Sequence, residues 1–371
     1  MGNPIGNVLQ RGWEVLTRRI DTMLFAAALA IVGVGLVTLF SASDESVARV
    51  TNQLLSFAFA IALMWLFANI PPQTLARGAV PLYVVAVTLL VAVAMFGVVV
   101  NGSRRWLNLG VARFQPSELM KIALPLMLAW YFQKFEGRLR WRDFAFAAVL
   151  IVVPVYLIKR QPDLGTALLI GVSGFYVLYL AGLSWRVIVG LLLAAAAVGP
   201  LVWTHLHGYQ RTRILTFLDP SRDPLGAGYH SMQASIALGS GGIVGKGWLN
   251  GTQTHLDFLP ERHTDFIFAV FGEEFGLIGN IVLLLLYLLL IGRAMVITAN
   301  ASTMFARLLG GAITLMFFTY AFVNMAMVSG LLPVVGVPLP LVSYGGTALI
   351  SLFIGRGILM SVQALRKLVT S

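Results

Sequence analysis

Long, uninterrupted runs of apolar residues, separated by short polar stretches, dominate this chain. Because the runs do not alternate with polar residues, they predict membrane-spanning helices rather than strands. Each run is close to the roughly 20 residues that a helix needs to cross a bilayer. The ten predicted spans lie at 22–40, 51–69, 79–100, 117–133, 143–158, 164–182, 186–206, 265–291, 307–330 and 342–363. We therefore expect an all-α polytopic integral membrane protein, built as one transmembrane domain over residues 1–371.

The composition supports this fold class. Of the 371 residues, 58% are hydrophobic and only 11% are charged, and the mean hydropathy is +0.85. These values exclude an ordinary soluble domain. Cysteine is absent, which rules out disulfides and thiolate metal sites. The net charge of +11 is explained by basic loops and an anionic lipid partner rather than by nucleic acid.

Basic residues in short loops predict the orientation of the chain. The segment 134–142 carries Lys134, Arg138, Arg140 and Arg142, so we place it in the cytoplasm. With ten spans, both termini are then cytoplasmic. As many basic residues fall within the spans or on the outer side as on the cytoplasmic side. This excess predicts an anionic ligand on the outer side.

A large extracytoplasmic loop, residues 207–264, is predicted between the seventh and eighth spans. Loops of this length are usually functional or disordered. Within it, Tyr229 to Leu238 could form a short amphipathic helix lying on the membrane. Residues 239–247 form a glycine run that we expect to be flexible. It is not a phosphate-binding P-loop, because neither Ser nor Thr follows Lys246.

Asp265 opens the eighth predicted span, where a carboxylate is costly to remove from water. It could cap the helix or serve as a catalytic residue at the membrane interface. The catalytic interpretation is favoured because Glu261, Arg262 and His263 crowd the same turn. His263 itself is typical of a loop residue that makes hydrogen bonds.

Two pairs of charged residues lie inside predicted spans. Glu118 and Lys121 share one helix face and form either a cation site for phosphate or an internal ion pair that specifies packing; both interpretations remain open. Glu273 and Glu274 point to different sides of their helix. At least one of these two must therefore meet polar groups of the protein rather than lipid.

Two further segments carry candidate functional features. Asp163 follows Pro162 at the start of the sixth span, where a helix cap is favoured over an acidic partner for an outer cation. Prolines and glycines interrupt the apolar run from Ser329 to Gly346. Non-helical backbone at this depth must be buried in protein or line a cavity. A structural turn and a cavity wall are compatible interpretations of this segment.

Several motifs in the same order resemble the SEDS family (shape, elongation, division and sporulation), and the likeness runs over nearly the whole chain. It is nearer to the elongation member than to the division member. The motifs are Phe114-Gln-Pro-Ser-Glu118, Gln161-Pro-Asp163-Leu-Gly-Thr166, Asp223-Pro-Leu-Gly-Ala-Gly-Tyr-His230, Phe258-Leu-Pro-Glu-Arg-His-Thr-Asp265-Phe, Leu332-Pro-Val-Val-Gly-Val-Pro-Leu-Pro340 and Ser343-Tyr-Gly-Gly346.

This resemblance implies a peptidoglycan glycosyltransferase of cell elongation. Such an enzyme polymerises lipid II into β-1,4-linked strands on the periplasmic face of the bacterial cytoplasmic membrane, beside a class B penicillin-binding protein. Asp265 is then the expected catalytic residue. The expected substrate-binding residues are Arg105, Lys121, Glu118, Asp163, Gln115, Glu261 and His263. A divalent cation, Mg²⁺ or Mn²⁺, could share the substrate diphosphate, held by Asp163 or Asp265.

A flippase or transporter of a lipid-linked cell-wall precursor is the main alternative, because interrupted helices are common in transporters. A purely structural scaffold is a third hypothesis. Charges that cluster on one predicted membrane face favour an enzyme over both, since a transporter needs access from both faces.

Overall fold

A helix lies at each of the ten predicted spans in the computed structural model, which describes residues 19–100, 103–108, 113–205, 208, 211, 215–216, 227–255 and 261–370. The helices are α1 (Thr22–Ala42), α2 (Val47–Asn69), α3 (Pro72–Arg77), α4 (Ala79–Phe96), α5 (Pro116–Lys134), α6 (Trp141–Lys159), α7 (Leu164–Leu180), α8 (Trp185–His205), α9 (Ala227–Ser240), α10 (Thr252–His255), α11 (Ile267–Ala299), α12 (Met304–Val328) and α13 (Gly346–Thr370). The strands are β1 (Val98–Val100), β2 (Ser103–Asn108) and β3 (Arg113–Phe114).

Within these described ranges, seven helices are long and apolar enough to cross a membrane: α1, α2, α4, α6, α11, α12 and α13. Helices α7 and α8 are apolar but offer shorter stretches, Leu164–Leu180 and Trp185–Leu201. Helix α5 carries Glu118 and Lys121 within its first two turns, which lowers its hydropathy. The chain is thus a mostly helical, multi-pass membrane protein.

The helices bury two large apolar clusters. One forms where α13 packs along α2 and where α11 packs between α1 and α12. The other forms where α5 packs against α4, α7 and α12. Large apolar side chains also cover the outer surface, for example Leu55 on α2 and Leu285 on α11. An apolar exterior of this kind is what a bilayer requires.

A small antiparallel sheet precedes α5. Its first strand takes up the last residues of the predicted span 79–100, so the helix there is shorter than predicted. Helix α4 ends at Phe96 because the chain continues as β1, which pairs with β2. Strand β2 also pairs with β3, with Leu107 opposite Phe114. Since β3 leads directly into α5, the sheet holds Arg105 of β2 near the first turn of that helix.

Helix α11 is broken at Gly276, whose φ of 63° is left-handed. A Cβ at this position would lie 2.3 Å from the backbone nitrogen of Gly245. Only glycine tolerates both constraints. The predicted flexible run 239–247 packs into this break, so that expectation was wrong. Four backbone hydrogen bonds join them: Lys246 N to Glu273 O (3.0 Å), Gly247 N to Glu274 O (3.0 Å), Leu277 N to Gly242 O (2.9 Å) and Ile278 N to Ile243 O (3.0 Å).

Both glutamates before the break meet polar groups of the protein, which confirms the expectation for at least one of them. Glu273 is fully buried and accepts hydrogen bonds from the Lys246 ammonium at 2.7 Å and from the Gln253 amide at 2.9 Å. The Ser41 hydroxyl donates to Glu274. These carboxylates therefore tie α11 to α1, to α10 and to the segment before α10.

Helix α9 occupies the position predicted for an amphipathic helix. It packs against α11 and α12 of the bundle, with Ala234 and Ala237 buried. Residues 217–226 and 256–260 of the predicted large loop lie outside the described residues.

Candidate functional site

A cavity of about 420 Å³ opens between the N-terminal ends of α5, α7 and α13 and the turn that precedes α11. The non-helical segment 329–345 forms part of its wall, as the proline and glycine pattern predicted. Six predicted site residues line this cavity: Arg105, Gln115, Glu118, Lys121, Asp163 and Asp265. Glu261 and His263 are not among the lining residues.

Arg105 and Asp163 meet at one side of the cavity. The Arg105 Nη2 donates to the Pro162 carbonyl at 2.7 Å, and its Nε lies 3.7 Å from the Asp163 carboxylate. Asp163 also caps α7, because its Oδ1 accepts a hydrogen bond from the Thr166 amide at 3.2 Å. Asp163 therefore both caps α7 and serves as the acidic partner of Arg105.

Lys121 and Glu118 form a buried ion pair at 2.6 Å on the same face of α5. The Ser351 hydroxyl of α13 donates to the other Glu118 oxygen at 2.8 Å, and the Lys121 ammonium lies 4.8 Å from the centre of the Tyr320 ring. The carboxylate orients the ammonium, and both side chains face the cavity. The internal ion pair is therefore present, and the cation site for phosphate stays a prediction.

Asp265 lies two residues before α11 and lines the same cavity. Burial, and after it the nearby negative charge of Glu261, raise the pKa of its carboxyl group to about 6. A Cβ at Gly336 would approach the Asp265 Oδ2 to 3.4 Å. With a φ of 74°, Gly336 also adopts a conformation that suits glycine. The Asp265 carboxylate therefore packs close to Gly336 and also borders the cavity.

The neighbouring polar residues of this turn have protein partners other than Asp265. Arg262 pairs with Asp44, and the Thr264 hydroxyl donates to Glu261 at 2.9 Å. His263 contacts the edge of the Tyr344 ring. Burial lowers the pKa of His263, and the positive charge of Arg49 lowers it further. The lowered pKa favours the neutral form of this imidazole.

A family model described as a cell cycle protein of the FtsW, RodA and SpoVE type matches residues 20–368. The chain belongs to this family, the SEDS family. It is 49% identical over 352 residues to the peptidoglycan glycosyltransferase MrdB of Escherichia coli K12, covering 95% of each chain. It is 37% identical to MrdB of Helicobacter pylori J99, covering 93% of this chain and 90% of the relative.

Solved structures of SEDS proteins share the fold. A chain from a peptidoglycan synthase complex, described for its coordination of polymerization and crosslinking, matches with a TM-score of 0.82 at 35% identity. The match covers 93% of this chain and 98% of that chain. The crystal structure of RodA from Thermus thermophilus matches with a TM-score of 0.71 at 31% identity, covering 93% and 97%.

Sequence reasoning missed several polar residues of this SEDS cavity. Tyr320 lines the cavity, and Ser351 donates a hydrogen bond to Glu118, which lines it. Both lie in apolar runs, so nothing in the pattern distinguishes them from core residues. Trp106 and Tyr344 also line the cavity. Tyr344 lies inside a quoted motif, and Trp106 follows the predicted site residue Arg105; this proximity is the signal that could have found them.

A divalent cation at Asp163 or Asp265 stays a prediction. Among the described residues, no group of three or more Asp, Glu or His side chains could hold a metal ion. Asp163 is already engaged by Thr166 and Arg105.

Proposed function

We propose that this protein is a peptidoglycan glycosyltransferase that polymerises lipid II into β-1,4-linked glycan strands during cell elongation. One observation carries the proposal: a single cavity is lined by two cations, Arg105 and Lys121, together with the carboxylate of Asp265. Relatives at 49% and 37% identity are named peptidoglycan glycosyltransferases. This agreement between site and relatives favours an enzyme over a scaffold.

The two cations suit a diphosphate leaving group. Negative charge grows on the diphosphate as the donor sugar leaves, and fixed positive groups stabilise that charge. Arg105 offers a planar fork for phosphate oxygens. Lys121 has three N–H donors and gives one to Glu118, so further donors remain for the substrate.

Asp265 suits the role of general base. Its carboxylate would accept the proton of the GlcNAc 4-hydroxyl of the acceptor. The resulting oxygen attacks the anomeric carbon of the donor MurNAc, the bond to the undecaprenyl diphosphate breaks, and the configuration inverts to β. A pKa of about 6 leaves Asp265 mostly ionised at neutral pH and close to the pKa that serves proton transfer well.

The same proposal includes the topology. Ten membrane spans with both termini in the cytoplasm would place the cavity at the periplasmic face of the bacterial cytoplasmic membrane. The helix at every predicted span supports this arrangement, as does the cluster of basic residues at 134–142 in the α5–α6 connection. Residues 1–371 would form one transmembrane domain, with 207–264 as a periplasmic loop.

A class B penicillin-binding protein is the proposed partner. The solved complex that matches this fold is described as coordinating polymerization and crosslinking, which are the two activities such a pair supplies. Lipid II and membrane lipid complete the set of binding partners.

Purified protein in detergent with lipid II tests the proposal. We expect glycan polymer from the wild type and at least about a 100-fold loss in Asp265→Asn, because a general base contributes 10²–10⁴. Asp265→Asn should still purify as a folded protein. A flippase would instead yield no polymer in detergent, and full activity of Asp265→Asn would remove Asp265 from the mechanism.

A further inference from the structure

Three successive backbone carbonyls, those of His263, Thr264 and Asp265, receive hydrogen bonds from distant parts of the chain. The Tyr344 amide donates to the His263 carbonyl at 2.9 Å. The Ser343 hydroxyl donates to the Thr264 carbonyl at 2.6 Å. The turn that carries Asp265 is thus held by contacts from outside its own helix.

Asn324 of α12 makes the third of these bonds. Its Nδ2 donates to the Asp265 carbonyl at 2.8 Å and to the Val337 carbonyl at 2.7 Å. The side chain is fully buried. One amide group therefore joins the catalytic turn to the segment 329–345 that forms the facing cavity wall.

The other end of the Asn324 amide makes no hydrogen bond. Its Oδ1 is buried and has no partner among the described residues. An unpaired buried acceptor destabilises a fold, because it has given up its hydrogen bonds to water. Stability alone therefore does not explain an asparagine at this position. Its N–H donors, which bond the Asp265 and Val337 carbonyls, are the feature that the site requires.

The hydrogen bonds of Asn324 hold the cavity wall at Gly336 close to the Asp265 carboxylate. Val337 follows Gly336, and a Cβ added at Gly336 would lie 3.4 Å from the Asp265 Oδ2. Gly336 and Val337 both line the cavity. If the Val337 carbonyl moved, this wall would move relative to the carboxylate. A displacement of about 1 Å in a reacting group can cost about 100-fold in rate.

We infer that Asn324 is a positioning residue, which aims the Asp265 carboxylate into the cavity by tying the Asp265 and Val337 carbonyls together. The inference rests on the proposed function, because it gives Asn324 its effect through the general base. Substrate binding depends on other elements, since Arg105 lies on β2 and Lys121 on α5.

The test separates turnover from binding. Asn324→Ala should lower kcat about 10- to 100-fold and leave the Kd for lipid II within about twofold, because Arg105 and Lys121 stay in place. Asn324→Asp keeps the side-chain volume but replaces the N–H donors with oxygen, so it should show the same split. Titration with fluorescent lipid II gives both the Kd and the fraction of binding-competent protein.

Asn69→Ala is the matched control. The Asn69 amide donates at 2.8 Å to the Trp65 carbonyl of its own helix, α2. Its loss removes a hydrogen bond from an asparagine side chain to the backbone away from the cavity, and we expect activity close to that of the wild type.

Two results would overturn the inference. Turnover of Asn324→Ala within twofold of the wild type would show that the tie does not matter. A loss of lipid II binding in proportion to turnover would show that Asn324 supports only the fold. The proposed function fails differently: the wild type would make no polymer, or Asp265→Asn would remain active, and either result would remove this inference as well.

Discussion

The Lys121 ammonium lies 2.6 Å from the Glu118 carboxylate, and both side chains are almost fully buried within α5. Breaking a buried ion pair leaves an uncompensated charge, which costs about 3–5 kcal/mol. Glu118→Gln and Lys121→Met should therefore each lower the thermal unfolding temperature. The double variant should recover most of that loss, because it buries no charge.

Activity should not follow stability in this series. Lys121→Met and the double variant both lack the cation for the diphosphate, so neither should polymerise lipid II efficiently. Thermal unfolding followed by size-exclusion chromatography measures stability, and a glycan gel measures activity. If the double variant is as unstable as the sum of the single variants, the two charges are not coupled.

The pH dependence of turnover reports on Asp265. A general base must be ionised, and its pKa is raised to about 6 by burial and by Glu261. Turnover should therefore be constant above about pH 7 and fall tenfold per unit below about pH 6. Measurement of kcat between pH 4.5 and 8.5, with a control for reversible inactivation, gives this profile.

Glu261→Gln should move the acidic limb of that profile to lower pH. The negative charge of Glu261 disfavours a second negative charge on Asp265, so its removal lowers the pKa of Asp265. The variant should be relatively more active than the wild type near pH 5. An unchanged limb would mean that Asp265 is not the group that titrates, or that Glu261 does not act on it.

Arg105 should matter for donor binding through its shape as well as its charge. Its guanidinium both bonds the Pro162 carbonyl and faces Asp163. Arg105→Ala should raise the KM for lipid II more than it lowers kcat, and Arg105→Lys should be intermediate because lysine keeps the charge without the fork. Steady-state kinetics at varied lipid II measure both constants. A KM equal to that of the wild type in Arg105→Ala would contradict a role in binding.

Gly276 and Gly292 offer a matched pair within α11. Gly276→Ala should destabilise the protein by at least about 1 kcal/mol, because its left-handed φ disfavours a side chain and its Cβ would meet Gly245 N at 2.3 Å. Gly292→Ala meets no heavy atom within 4 Å and should be neutral or stabilising by about 0.5–1 kcal/mol. Comparable unfolding temperatures for the two variants would contradict the close packing at the break.

Helix positions could be predicted from the sequence because each crossing of the bilayer requires a continuous apolar run of roughly 20 residues. The residues at which helices begin and end could not be predicted where tertiary contacts determine them. Helix α13 begins at Gly346 rather than at 342, because Ser343 and Tyr344 bond to the backbone of the turn before α11. No local pattern contains that information.

The site residues that could be predicted lie in charged motifs of the resembled family. Those that could not are single polar residues in apolar runs, whose partners are distant in sequence. Ser351 bonds Glu118 across 233 positions, and Asn324 bonds Asp265 across 59. Such pairings depend on how helices pack, which hydropathy does not specify. The glycine run was misjudged for the same reason, since its partner is the break in α11.

Residues 242–247 supply hydrogen-bond partners at the break in α11, and this constrains the number of residues in the segment. Its amides and carbonyls substitute for the helical partners of four backbone groups on either side of Gly276. Inserting or deleting one residue would shift this register and leave those groups unpaired in an apolar setting, at several kcal/mol each. Surface loops usually tolerate such changes in length, but this one should vary in its side chains and not in its number of residues.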